Sequence, residues 1–187
     1  SFLSISSRVA GLEFTTHVNA VNSSREIIDY FKDRPNGRHV IAIDEVQMFD
    51  SGILGAIRML SSPNNHVVIA GLDKSFRGEP FPLSDFIATM EDVIDLFDPE
   101  CRVHLKAVCE VCGDEAEYVQ RLLNNRPAPY YDPLIVIGDK NIGEGTDVRS
   151  YEPRCKTHFE IPYKDEFLVV KHLLEMGVPE EEISRII

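Results

Sequence analysis

The segment HVIAIDEVQMF, residues 39–49, constrains the fold of this chain more than any other stretch of the sequence. Its apolar run ends in two adjacent carboxylates, Asp44 and Glu45. A buried parallel strand delivers acidic groups in this way to the carboxyl edge of an α/β sheet, where ligands bind. The pattern therefore predicts a buried strand at 40–44 and an acid pair at a ligand-binding edge.

Two adjacent carboxylates at a strand end favour phosphoryl transfer. One can hold a hydrated magnesium ion, and its neighbour can take a proton from an attacking hydroxyl group. A second apolar run, residues 67–72, ends in Asp73 and is followed by Phe76-Arg77-Gly78-Glu79. Acids after a strand can instead cap the next helix or face water, and this reading stays open.

A phosphate-binding loop of the form GxxxxGK[ST] is missing from the 187 residues. The segment 138–146 mimics such a loop, but Glu144 stands where the motif requires lysine. A glutamate would repel phosphate, so we reject the match.

Composition excludes several classes of protein. The net charge of -12 argues against nucleic acid or an anionic membrane as the main partner. We find no signal peptide and no apolar run of bilayer length, so we expect a cytoplasmic protein. The length suits one domain, or one domain with a small module.

The alternation of apolar strands and amphipathic helices predicts an α/β fold. Strands are expected at 40–44 and 67–72, and helices at 24–32, 52–60 and 84–97. Residues 12–21 are consistent with a strand or with irregular structure.

The alternation of strands and helices gives way to a different sequence pattern after residue 99. Alternating residues on both sides of a CxxC predict an antiparallel hairpin of 103–107 with 118–122. Beyond it the sequence predicts a strand at 134–137, a mobile loop at 138–150, a helix at 167–176 and a short helix starting at Pro179.

Two short-spaced ligand pairs predict a zinc site. Cys109 and Cys112 form a CxxC, and Cys155 and His158 form a CxxH. Together they supply four tetrahedral ligands and leave no open position, so the zinc would be structural. The alternative is a set of reduced cysteines with no metal. Cys101 has no partner in this scheme and is expected in the core.

The motifs IAIDEVQMFD, VVIAGLDKSFRGEPF, KAVCEVCG and SYEPRC, in this order, resemble the thymidine kinases of the cellular, zinc-containing type, and among them the bacterial members. The resemblance covers about residues 38–162. It implies an α/β fold with a RecA-like P-loop kinase core, a parallel sheet and a small zinc-ribbon domain that carries a lasso loop. The implied division is a kinase core at 1–98, a zinc-ribbon and lasso domain at 99–163, and a C-terminal helical extension at 164–187.

The resemblance also implies the activity. Family members transfer the γ-phosphate of ATP, bound with Mg²⁺, to the 5′-hydroxyl of thymidine. The product is dTMP for DNA precursor salvage, deoxyuridine is a further candidate substrate, and members are usually tetramers. The alternative is a non-catalytic zinc-ribbon α/β module that binds a nucleoside or a protein.

Roles carry over motif by motif from the resemblance. Glu45 matches the general base, Asp44 the acid that holds magnesium through water, and Gln47 a signature residue near the nucleotides. The residues expected at the nucleoside are Met48, Leu72, Phe76, Tyr151 and main-chain groups around Val136 to Gly138. The zinc ligands are Cys109, Cys112, Cys155 and His158.

Three departures from the family pattern stand out. We expect the family's phosphate loop to precede Ser1, and we expect the residues shown to be inactive without it, because nothing else would cradle the β- and γ-phosphates. His158 stands where many bacterial relatives have cysteine, which zinc tolerates. The lasso between Ile137 and Tyr151 is longer than is usual in the family.

Overall fold

The computed structural model describes residues 2–9, 12–32, 38–135 and 148–184, with the backbone alone up to residue 18. The chain divides into two compact units. The first unit comprises Ser1–Asp73 and Phe81–Arg102, and the second comprises Lys74–Pro80 and Val103–Ile187. The three-part division into 1–98, 99–163 and 164–187 stays a prediction.

The strands described in the first unit form two pairs. An antiparallel hairpin joins β1 (Phe2–Val9) to β2 (Leu12–Asn19). A parallel pair joins β3 (His39–Ile43) to β4 (Asn65–Ile69), in register from His39 opposite Asn65 to Ile43 opposite Ile69. The parallel pairing expected from the two apolar runs is confirmed, and both strands end at the same edge. The expected burial of both strands is wrong, because Val40 is 77% and Val68 is 47% exposed, and the second strand lies at 65–69 and not at 67–72.

Two helices flank the parallel pair and have the bounds expected from the sequence. They are α1 (Ser24–Lys32) and α2 (Gly52–Leu60). Four apolar residues of α2 recur at helical spacing and are buried, in a helix that contacts α1 and β4: Ile53, Ala56, Ile57 and Leu60.

Asp50 ties the beginnings of these two helices together. Its carboxylate accepts hydrogen bonds from the Ser24 hydroxyl (2.5 Å), the Ser24 amide (3.1 Å) and the Gly52 amide (3.0 Å). Burial raises the pKa of Asp50, but the hydrogen bonds from Ser24, Gly52 and the Asp50 backbone together lower it more, and the net pKa lies below the usual value. This carboxylate therefore stabilises the fold above the ordinary aspartate pKa, and the contribution is lost as the pH falls through the lowered pKa.

The prediction of a helix at 84–97 is correct only for residues 90–94. Only α3 (Met90–Ile94) forms there, and it is capped by Thr89 and Asp92, whose side chains make a capping box. Before it the chain makes a turn in which Pro82 pairs with Thr89 and Phe86 takes a φ of 58°. A left-handed residue cannot continue an α-helix, so the helix starts late.

The second unit is built from short antiparallel strands followed by two helices. Its strands are β5 (Ala107–Val108), β6 (Glu115–Ala116), β7 (Tyr118–Leu123), β8 (Arg126–Pro127) and β9 (Arg149–Arg154). β5 pairs with β6, and β7 lies between β8 and β9. The helices are α4 (Lys164–Glu175) and α5 (Glu180–Ile183), as expected at 167–176 and after Pro179.

Two expectations for this unit are wrong. The hairpin at the CxxC has arms of only two residues, and β7 pairs with β9 instead of with 103–107. Leu134 and Ile135 lie outside any strand, while 136–137 and 138–147 are not among the described residues. The expected loop at 138–150 ends early, because Arg149 and Ser150 already belong to β9. In the part of the chain described, no helix is long and apolar enough to span a membrane.

We predict that Gly52→Ala lowers the thermal unfolding midpoint. A β-carbon at Gly52 would lie 2.4 Å from the Ser24 hydroxyl and 2.6 Å from Asp50 Oδ1, which are bonded to each other and cannot both move away. Gly55→Ala, in the same helix, meets nothing within 4 Å and should raise stability by about 1 kcal/mol through helix propensity. Equal changes of the unfolding midpoint for the two substitutions in calorimetry would contradict the role of Asp50 in joining the beginnings of α1 and α2.

Candidate active site and metal centre

The acid pair follows β3 at the edge where β3 and β4 both end. Main-chain bonds continue past the strands: the Ala70 amide donates to the Ile43 carbonyl (2.9 Å), and the Val46 amide donates to the Ala70 carbonyl (3.0 Å). Asp44 and Glu45 lie between these two bonds, and both side chains are exposed. The structure thus places the acid pair where ligands bind in open α/β sheets.

Glu45 has an uncommon backbone conformation. Its φ is 51°, in the left-handed region that side chains other than glycine rarely adopt. The Asp44 carboxylate accepts the Glu45 amide at 2.9 Å, which supports the turn. Left-handed residues that a structure keeps despite their cost are concentrated at functional sites.

Gln47 connects Glu45 to the main chain after β4. Its side chain is fully buried, its amide nitrogen donates to Glu45 Oε2, and its amide oxygen accepts the Leu72 amide (3.2 Å). Gly71 makes room for it, because a β-carbon there would lie 2.4 Å from Gln47 Oε1. Gln47 was expected near the nucleotides, and its contacts in the structure are those of a support for Glu45.

Two apolar side chains close in the chain to Gln47 and Gly71 are exposed. Met48 is 45% exposed and Leu72 is 43% exposed. Both were expected to line a nucleoside pocket, and their exposure leaves apolar surface available to a ligand.

Phe76 and Tyr151 lie in the second unit, around the guanidinium group of Arg121. Arg121 lies 3.9 Å from the centre of the Phe76 ring and 5.4 Å from that of Tyr151. Phe76 is buried and Tyr151 is half exposed. Arg121 is directly opposite Tyr151 in the pairing of β7 with β9, so the two side chains share one face of the sheet.

A buried ion pair holds Arg121. Asp132 Oδ2 lies 2.8 Å from Arg121 Nη1, and Asp132 Oδ1 lies 2.8 Å from Arg149 Nη2. Burial raises the pKa of Asp132, but its bonds to Arg149 and Arg121 bring the pKa below the usual value. Sequence reasoning missed these three residues, although an arginine inside the apolar strand YVQRLL was a usable signal.

The segment 74–80 is fastened to the second unit by polar and aromatic contacts. The Arg77 guanidinium lies 4.5 Å from the Tyr130 ring centre and donates to the Asp132 carbonyl (3.1 Å). Glu79 accepts the Tyr130 hydroxyl (3.1 Å) and pairs with Lys164 (2.8 Å). The FRGEPF motif thus fixes the backbone on which Phe76 stands.

The four expected zinc ligands come together. The ligand atoms of Cys109, Cys112, Cys155 and His158 all lie within 4.8 Å of one another. Cys112 Sγ is 3.7 Å from Cys155 Sγ, and His158 Nδ1 is 3.3 Å from Cys155 Sγ and 3.8 Å from Cys109 Sγ. A tetrahedral zinc with bonds of about 2.3 Å to sulfur requires sulfurs about 3.8 Å apart, so this donor set fits zinc.

The main chain prepares one of the sulfurs for a cation. Burial raises the pKa of Cys109, but the backbone N–H groups of Cys155, Cys112 and Val111 lower it to about 6. The backbone N–H of Asp114 lowers the pKa of Cys112, yet burial, the Asp114 carboxylate and the neighbouring thiols raise it to about 12. A bound cation would favour the thiolate at both positions, since thiolates are the ligands of zinc.

Some expected positions lie outside this arrangement. Val136 and Gly138 are not among the described residues. Cys101 is exposed and stands apart from the cluster, so its expected place in the core is wrong. A cavity of about 540 Å³ in the second unit contains one predicted site residue, His158; its lining is Val111, Gln120, Leu122, Asn125, Pro127, Glu152, Arg154, His158 and Glu160.

Comparison with known protein families gives one finding. The family model described as thymidine kinase matches residues 5–159, which is more than half of the chain. The match spans the acid pair, segment 74–80 and all four candidate zinc ligands.

We predict one tightly bound zinc ion per chain. Cys109→Ser should reduce the zinc content measured by plasma emission spectrometry and lower the unfolding midpoint, because it removes one of four ligands. Cys101→Ser is the matched control, since Cys101 is exposed and lies outside the cluster. Purified protein without zinc, or zinc content that is unaffected by Cys155→Ser, would contradict the assignment.

Proposed function

We propose, from the premise that this chain belongs to the thymidine kinase family, that it acts in the transfer of the γ-phosphate of ATP to the 5′-hydroxyl of thymidine. The product would be thymidine monophosphate, a precursor for DNA synthesis. The observation that carries the proposal is the position of Glu45, exposed after β3 and held by the buried Gln47.

Glu45 is proposed as the general base. Phosphoryl transfer depends on the position of the attacking oxygen and on a residue that takes its proton. An exposed carboxylate can reach a hydroxyl group, and the hydrogen bond from Gln47 limits the orientations that the carboxylate samples. Gln47 also accepts a hydrogen bond from the Leu72 amide. The position of the Glu45 side chain is therefore fixed relative to the main chain after β4.

Asp44 is proposed to hold the magnesium ion that accompanies ATP. A carboxylate oxygen is the type of ligand that Mg²⁺ prefers, and Asp44 is exposed beside the proposed base. The ion would neutralise charge that develops on the transferred phosphoryl group. Binding and orientation of the acceptor fall to the protein's own side chains.

The thymine ring is proposed to contact Phe76 and Tyr151. Tyr151 is half exposed and accessible to a base, whereas Phe76 is buried with the Arg121 guanidinium over its ring and would contact a base only once neighbouring side chains move aside. Met48 and Leu72 are exposed and are proposed, from the family motifs in which they stand, as further apolar contacts of the nucleoside. Main-chain groups around Val136 to Gly138 are proposed to form hydrogen bonds with the edge of the base.

We predict that Glu45→Gln in the full-length protein lowers turnover by about 10² to 10⁴, because the substitution removes the proton acceptor. Calorimetric binding of thymidine and the unfolding midpoint should change little. Glu91→Gln is the matched control, since Glu91 is an exposed glutamate on α3 in the same unit. Activity within a few-fold of wild type would remove Glu45 from this role. A wild-type protein that binds thymidine and never phosphorylates it would instead favour the non-catalytic module.

A further prediction concerns the support of Glu45. Gly71→Ala places a β-carbon 2.4 Å from Gln47 Oε1 and should displace the Gln47 side chain. We expect kcat to fall about ten- to hundredfold, because small misplacements of catalytic groups are costly. Gly55→Ala, where a β-carbon meets nothing, is the control. An unchanged kcat in Gly71→Ala would show that Gln47 does not position Glu45.

A further inference from the structure

Arg121 is the charged side chain that the second unit buries most completely among the residues described. Its side chain is 4% exposed, in the middle of β7. Burial of a guanidinium group is costly unless hydrogen bonds and an opposite charge compensate it. A hydrophobic side chain of similar volume would serve stability as well or better in many such places, so the presence of arginine needs another reason.

The partners of the Arg121 side chain come from three separate segments of the chain. Its nitrogens bond to the Asp132 carboxylate (2.8 Å), to the Leu134 carbonyl (2.9 Å) and to the Pro133 carbonyl. The central carbon of the group lies over the rings of Phe76 and Tyr151, 3.9 Å and 5.4 Å from their centres. One planar cation therefore joins segment 74–80, β7, residues 132–134 and β9.

The shape of the group matters to this arrangement. A guanidinium can donate in its plane to a carboxylate and two carbonyls while its faces contact aromatic rings, and a lysine ammonium cannot do both. Arg121 Nε finds no hydrogen-bond acceptor among the described residues. The surroundings of Arg121 therefore leave one of its N–H groups without an acceptor. They do supply contacts with two aromatic rings.

We propose that Arg121 is a positioning residue for nucleoside binding, which holds the rings of Phe76 and Tyr151 at a fixed separation and orientation. The inference rests on the proposed function, because it takes these two rings as the contacts of the base. Arg121 acts through the rings and through the main chain of 132–134, and it does not contact the nucleoside itself. Its loss should weaken thymidine binding and leave ATP binding unchanged.

The test compares Arg121→Lys with Leu122→Ala in the full-length protein. Arg121→Lys keeps the charge opposite Asp132 and removes the planar group. Leu122 is buried on the opposite face of β7, so Leu122→Ala lowers stability without touching either ring. We expect Arg121→Lys to raise the KM for thymidine about tenfold and to leave the KM for ATP within about twofold. Leu122→Ala should lower the unfolding midpoint and leave both KM values within about twofold.

A double-mutant cycle shows whether Arg121 acts through Phe76. In a Phe76→Leu background, Arg121→Lys should raise the KM for thymidine by clearly less than the roughly tenfold seen in the wild-type background, because only Tyr151 remains of the two rings that Arg121 positions. A full tenfold effect in that background would overturn the positioning role. Equal KM changes in Arg121→Lys and Leu122→Ala would do the same, since they would reflect lost stability alone.

Calorimetric titration of thymidine without ATP separates this inference from the proposed function. Wild-type protein that fails to bind thymidine would overturn the proposed function together with the role of Arg121. Wild-type binding that Arg121→Lys leaves unchanged would overturn the role of Arg121 alone. Wild-type binding that weakens about tenfold in Arg121→Lys and is retained in Leu122→Ala supports both.

Discussion

The parallel pairing of β3 with β4 is the constraint on which the first unit depends. It brings the ends of the two strands to one edge, so that Gln47 after β3 reaches Leu72 after β4. Gly71 leaves the space that the buried amide occupies. A shift of the register by one residue would turn Ile41 and Ile43 away from the core and separate Gln47 from the Leu72 amide that donates to it. The proposed base is therefore positioned by the same pairing that buries Ile41 and Ile43 on one face of β3.

The second unit is organised by polar and sulfur groups more than by a large apolar core. The Arg121–Asp132–Arg149 cluster joins β7, β9 and the segment between them, and the Cys3His cluster joins the CxxC hairpin to the chain after β9. Such groups are costly to bury unless they are paired, so they specify a single arrangement where short strands alone would not. Phe76 and Tyr151 stand on this framework, which explains how short irregular segments can present two aromatic rings in a defined orientation.

Sequence reasoning was accurate where the signal is local. The bounds of α1 and α2 and the pairing of β3 with β4 follow from apolar periodicity and short strand runs, and CxxC and CxxH spacing identified all four members of the metal cluster. It was wrong where two distant segments compete for a partner. The choice of β9 by β7 and the late start of α3 depend on pairing and on a left-handed Phe86, which no periodic pattern reveals.

By itself the sequence determined the chemistry available to this protein: an acid pair after an apolar strand, four zinc-type ligands in two short motifs, and family motifs in a fixed order. Only the tertiary structure decided how those residues are held. Gln47 became a buried support for Glu45, and Arg121, an unremarked arginine in an apolar strand, became the centre of an aromatic and ionic cluster. The physical reason is that the type of each residue determines its side-chain chemistry, whereas burial and pairing arise from contacts between residues far apart in the chain.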